Sequence, residues 1–120
     1  HWGDPAFDLG FALSHLLSKA NHLPAQRAVF AAAAQLFFDT YLRTAGLTDS
    51  AEVEARAVRH TLGCLLARIV GRSPLGYLSA EARTRQRVAV LRQVTAPPTR
   101  MHELIQQYGN DLAKGDHGDH

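Results

Sequence analysis

A single cysteine, Cys64, excludes a disulfide within the chain. That usage suits a reducing compartment, and a cytoplasmic location is the expectation. Long hydrophobic runs are missing too. The stretch AVFAAAAQLFF is too short for a membrane span and is soon followed by Asp39 and Arg43. Neither sign of charge dominates: 13 Lys and Arg against 11 Asp and Glu leave a formal net charge of +2. So weak a balance argues against nucleic acid as a partner, and no membrane partner is expected either. Strand-like alternation, internal repeats and a signal-peptide pattern are all absent.

What is present is apolar and helical. An apolar share of 46% over 120 residues suits one globular domain. Asp4 followed by Pro5 reads as a helix start, with Asp4 as a cap and proline at the first helical position. A helix over about 8–20 carries Leu9, Phe11, Ala12, Leu13, Leu16 and Leu17, apolar on nearly every side as in a buried central helix. Pro24 breaks it. A second helix over about 24–45 presents the stripe Val29, Ala33, Leu36, Phe37 and Tyr41 and ends at Gly46. Asp49 and Glu52 have capping-box spacing at the start of a third, with Glu54 near its positive end. Its buried face is Val53, Ala57, Thr61, Leu65 and Ile69, running to about Val70. After the loop GRSPLGYLS, Ser79 caps a fourth helix, AEARTRQRVAVLRQV, which Pro97 and Pro98 end. Thr99 caps a shorter fifth, RMHELIQQYG, and NDLAKGDHGDH reads as a mobile tail. The expected fold is therefore all-α, about five helices, with 1–112 as the helical subdomain and 113–120 as a flexible tail.

The segment GDPAFDLGFAL resembles the stretch that follows the metal-binding aspartate in aminoglycoside-phosphotransferase-like and choline-kinase-like enzymes. LLARIVGRSPLGYLS followed by RTRQR is similar to the distal helices of bacterial members of that family. The resemblance covers most of the chain and implies the helical C-terminal subdomain of a protein-kinase-like fold. Such enzymes transfer the γ-phosphate of ATP to a small-molecule hydroxyl. It also implies a role for Asp8, which matches the family aspartate that braces the catalytic loop from the start of a buried helix. The alternative is that Asp8 caps its own helix.

The family's lysine, its histidine–glycine–aspartate loop with a downstream asparagine, and its metal-binding aspartate all precede this element. Only His1, Trp2 and Gly3 precede it here. The expectation is a segment of a larger kinase, inactive alone, with no cofactor of its own; ATP and Mg²⁺ belong to the full-length parent. Its partners are then the missing N-terminal part of the same fold and a small-molecule acceptor. Few acids cluster beyond Asp49, Glu52 and Glu54, which disfavours a polycationic aminoglycoside and leaves an uncharged sugar or an amino alcohol.

Other residues invite simpler readings. The terminal HGDH, 117–120, mimics a catalytic loop but lacks a following asparagine and any apolar strand around it. His15, His22, His60 and His102 are scattered, with no second ligand at metal spacing. Cys64 reads as a small core residue. Arg83, Arg87 and Arg92 fall near one side of the fourth helix, as a solvated basic face, as partners for the acidic start of the third, or as a site for a phosphate or an acidic substrate, while Arg85 points elsewhere.

Against the kinase reading stands a free-standing helical bundle that binds a ligand or dimerises, such as a regulator domain. The first helix separates the two. A kinase segment should expose an apolar patch around Leu9, Leu13 and Leu17, and a self-sufficient bundle should bury it. A homodimer through that exposed face is the third expectation.

Overall fold

A computed structural model describes residues 4–70 and 78–116. Five α-helices account for most of them, and no strand occurs among the described residues. α1 runs Pro5–His22, α2 Arg27–Ala45, α3 Ala51–Val70, α4 Ala80–Val94 and α5 Met101–Asp116.

Asp4 starts α1. Its backbone is extended and its Oδ1 accepts the Ala6 N–H at 3.0 Å, with Pro5 in the first turn. The helix thus begins a turn earlier than the expected 8–20. Leu9, Leu13 and Leu17 are fully buried, and α1 packs against every other helix. The expected exposed patch at these leucines does not exist, and the homodimer expected through it loses that surface. They form one core with Phe38, Val58, Leu62, Leu65, Val90, Leu104 and Tyr108. The radius of gyration is 13.8 Å, close to the roughly 14 Å of a self-contained domain of this length.

The break after α1 is a single 3₁₀ turn, Pro24–Gln26, not the first turn of α2. Arg27 then folds back, and its Nε donates to the Ala20 carbonyl at 2.9 Å. That supplies a donor at the carbonyl-rich end of α1, where a cation is favoured. On α2 the buried residues are Ala34, Phe38 and Leu42, with Ala31 and Tyr41 partly covered. The expected stripe is displaced: Val29 and Leu36 are 66% exposed and Phe37 39%. A helix apolar on most sides does not specify its own inward face, because a one-residue shift turns it by only about 100°. Gly46 (φ 72°) ends α2 in a Schellman motif, with its N–H on Arg43 and the Leu47 N–H on Leu42.

At α3 the cap is Ser50, whose Oγ accepts the Val53 N–H at 3.1 Å, and not the Asp49–Glu52 pair. Glu52 turns instead to Arg56, 3.1 Å away. The face Val53, Ala57, Thr61 and Leu65 is buried, and Ile69 partly so. Gly10 brings α1 and α3 together. A methyl group there would lie 2.7 Å from His60 Cβ and 2.9 Å from Thr61 N. Ser79 caps α4 through the Ala82 N–H at 3.1 Å. At α5 the Met101 N–H is taken by Glu54 of α3 at 2.7 Å, in place of the expected Thr99 cap. Arg100 lies 3.4 Å from the same carboxylate. α5 continues past Gly109 to Asp116, because Leu104, Tyr108, Asp111 and Leu112 prolong one buried stripe. Residues 113–116, expected in the tail, are therefore helical; 117–120, with the HGDH segment, lie outside the described residues.

A polar hub ties four helices. Asn21 Nδ2 donates to the Ala82 carbonyl at 2.8 Å and to Gln86 Oε1 at 3.1 Å. Gln86 Nε2 donates to the Leu65 carbonyl at 2.9 Å, and the Tyr108 hydroxyl lies 3.1 Å from both Gln86 Oε1 and the Leu17 carbonyl. These groups are buried yet partnered, so they fix how α4 and α5 sit on α1.

Candidate functional site

With Leu9, Leu13 and Leu17 inward, the opposite side of α1 faces out. Residues 7, 8, 11 and 15 share that side at helical spacing. Phe7 and Phe11 are each 55% exposed, an unusual cost for large apolar rings on the helix that anchors the core. Asp8 and His15 beside them are half-buried. On α3, Arg56, His60, Cys64 and Arg68 recur every four residues and form the parallel row.

Contacts join the two rows. Asp4 and Arg56 form a two-point pair, with Nε to Oδ2 at 3.2 Å and Nη2 to Oδ1 at 3.3 Å. The Phe7 ring meets the His60 ring edge-on at 5.5 Å between centroids. Phe11 meets His15 edge-on at 5.1 Å, and the Arg68 guanidinium carbon lies 5.6 Å from the Phe11 centroid. Arg68 Nε also donates to Ser14 Oγ at 3.0 Å, which donates in turn to the Phe11 carbonyl at 2.8 Å. The cation is thus held in place over the ring.

The titrating groups follow this geometry. Burial lowers the His15 pKa, and the positive charges of Arg68 and Lys19 lower it further, so the imidazole is neutral at neutral pH. Burial pushes the Cys64 thiol up, against a weaker opposing pull from Arg68. Burial thus favours the protonated thiol at Cys64. The Arg56 guanidinium, and then the Ala6 N–H, hold the Asp4 carboxyl below its ordinary range.

Asp8 sits inside the first turn of α1, not at its cap, since Asp4 holds that position. Arg83, Arg87 and Arg92 are exposed on α4, while Arg85 turns to Asn21, its Nε donating to Oδ1 at 3.3 Å. The acidic start of α3 pairs with Arg100 and Arg56, not with α4. Among the described residues no three His, Cys, Asp or Glu side chains come together to hold a metal ion. No helix among them is long and apolar enough to cross a membrane. The surface sets rings, imidazoles and a fixed cation side by side.

The sequence presents His15 and His60 as isolated, places Phe11 on a helix buried on nearly every side, where the structure leaves it 55% exposed, and gives Phe7 and Arg68 no role. The four-residue repeats 7–11–15 and 60–64–68 were the available signal, but only the packing of α1 on α3 sets them side by side. Compared with family models, curated proteins and solved structures, the chain finds no match to any of them.

Proposed function

We propose that this chain is the helical, acceptor-side part of an ATP-dependent phosphotransferase acting on a small-molecule hydroxyl. In this reading the outward face of α1 seats a catalytic loop, and Asp8 positions that loop. One observation supports it above the rest: the helix that organises the core leaves Phe7 and Phe11 uncovered beside a half-buried carboxylate. A loop laid across them would bury both rings and give Asp8 backbone N–H groups to bind. The reading gives this chain no part in holding magnesium or nucleotide.

The test uses the protein encoded by the complete reading frame. It should transfer the γ-phosphate of ATP to an amino alcohol or an uncharged sugar. Asp8→Asn should lower kcat with little change in the KM for ATP. An open reading frame without an upstream histidine–glycine–aspartate segment, or an Asp8→Asn protein of full activity, would reject the reading. A second reading, a free-standing ligand-binding or dimerisation bundle, is favoured by the internal burial of Leu9, Leu13 and Leu17. It predicts a stable, monodisperse 120-residue chain in sedimentation, with a reading frame that starts near His1.

A further inference from the structure

Helix α4 is apolar on two sides, and its packing uses one. Ala82, Ala89 and Val90 are buried against the rest of the bundle, whereas Val88, Leu91 and Val94 stay 47%, 45% and 42% exposed. Thr84, Val88, Leu91 and Thr95 recur at helical spacing as an outward stripe. Arg83 and Arg87 border this stripe on one side and Arg92 on the other, each about 60–100° round the helix from its centre. The helix holds four arginines against a single acid, Glu81. Neither Arg83 nor Arg87 has an ion-pair or hydrogen-bond partner among the described residues. The Arg92 side chain is 58% exposed and lies 3.8 Å from Asp111 Oδ1. A contiguous apolar row on a surface marks contact with another body. The unmatched arginines beside it give that body a negative charge.

We propose that α4 lies on an anionic lipid surface as a peripheral membrane contact. Val88 and Leu91 enter the boundary between headgroups and acyl chains, and the arginines on either side reach the lipid phosphates. A protein partner would have to supply a groove for this convex ridge, with acids on both walls. A bilayer supplies apolar depth and phosphates on both sides with no shape of its own. The contact is peripheral, since no helix among the described residues is long and apolar enough to cross a membrane. Three partly exposed apolar side chains hold weakly, so attachment depends on the charge of the lipid. No residue of α1 takes part, and the inference does not depend on the phosphotransferase reading.

Co-sedimentation of the full chain with lipid vesicles at low salt tests this. The chain should bind vesicles of phosphatidylcholine mixed with phosphatidylglycerol and stay in solution with phosphatidylcholine alone. Arg83→Gln together with Arg87→Gln should weaken binding about 25-fold, at about fivefold for each charge. Leu91→Ser, which keeps every charge, should weaken it about threefold. Leu36→Ser on α2, at a side chain 66% exposed on another helix, should leave it unchanged. All four positions are exposed, so the variants keep the fold, which circular dichroism checks. Equal binding to the two kinds of vesicle would overturn the proposal. Binding that Leu91→Ser leaves intact would reduce it to adsorption by charge alone, and an equal loss in Leu36→Ser would remove it from α4. A chain that sediments with neither vesicle would refute the lipid contact and leave an acidic protein as the partner of this face.

Discussion

Replacing Gly10 with alanine tests the packing on which every surface described above depends. The added Cβ would lie 2.7 Å from His60 Cβ, 2.8 Å from the His60 carbonyl carbon and 2.9 Å from Thr61 N. Ordinary carbon contacts lie at about 3.5–4.0 Å. Two of the three obstructing atoms are backbone, so no side chain can swing aside and α1 must move off α3. Such overpacking costs about 1–3 kcal/mol, and the upper part of that range applies where backbone is the obstacle. Alanine's better helix propensity returns about 1 kcal/mol. The net loss is about 2 kcal/mol, or a fall of about 8 °C in Tm for a chain of this length. Gly63 supplies the control. It lies on α3 with nothing within 4 Å of a built Cβ. Gly63→Ala should therefore gain about 0.5–1 kcal/mol and raise Tm by about 2–4 °C. Thermal unfolding followed by circular dichroism at 222 nm reads both. If the two substitutions move Tm in the same direction, the close approach of α1 and α3 is not as described.

Two other substitutions probe the hub and the start of α1. Tyr108→Phe removes the hydroxyl that lies 3.1 Å from the Leu17 carbonyl and Gln86 Oε1; urea unfolding should show a loss of about 1–2 kcal/mol, and an unchanged midpoint would mean the hub does not hold α5. Asp4→Asn keeps a capping oxygen but removes the charge. Because Arg56 and the Ala6 N–H depress the Asp4 carboxyl in the folded state, its contribution is present above the unfolded value near pH 4 and is lost as pH falls through the lower folded one. The wild-type protein should therefore lose stability relative to Asp4→Asn across that acid window, whereas parallel stability–pH curves would contradict the pairing.

How much of this was legible beforehand can be judged at particular residues. Two helix ends that use their own sequence were legible, whereas at α3 the local cap is Ser50 and not the neighbouring Asp49. Ser79 caps α4 and Gly46 ends α2, because each acts on backbone within a few residues of itself. Ends that borrow from elsewhere were not. Glu54 caps α5 from 47 residues away, and Arg27 serves the end of α1 after the chain has reversed. The length of α5 was in the sequence, since Asp111 and Leu112 continue the stripe through Leu104 and Tyr108. Gly109 reads as a stop, yet no backbone reversal occurs there.

The candidate surfaces divide in the same way. Asp4 and Asp8 were singled out from a local motif, but the exposed row beside them depends on which side of α1 turns inward. An apolar majority on a helix supplies the drive to bury it and leaves the direction to its neighbours. So the sequence by itself determined an all-helical chain, most helix boundaries and the buried face of α3, all set by short-range hydrogen bonding and periodicity. Only the tertiary structure decided that Leu9, Leu13 and Leu17 close inward, that Phe7 meets His60 and Phe11 meets Arg68, and that Glu54 reaches the start of α5. Those outcomes rest on contacts between residues far apart in the chain, where no local periodicity specifies which faces will meet.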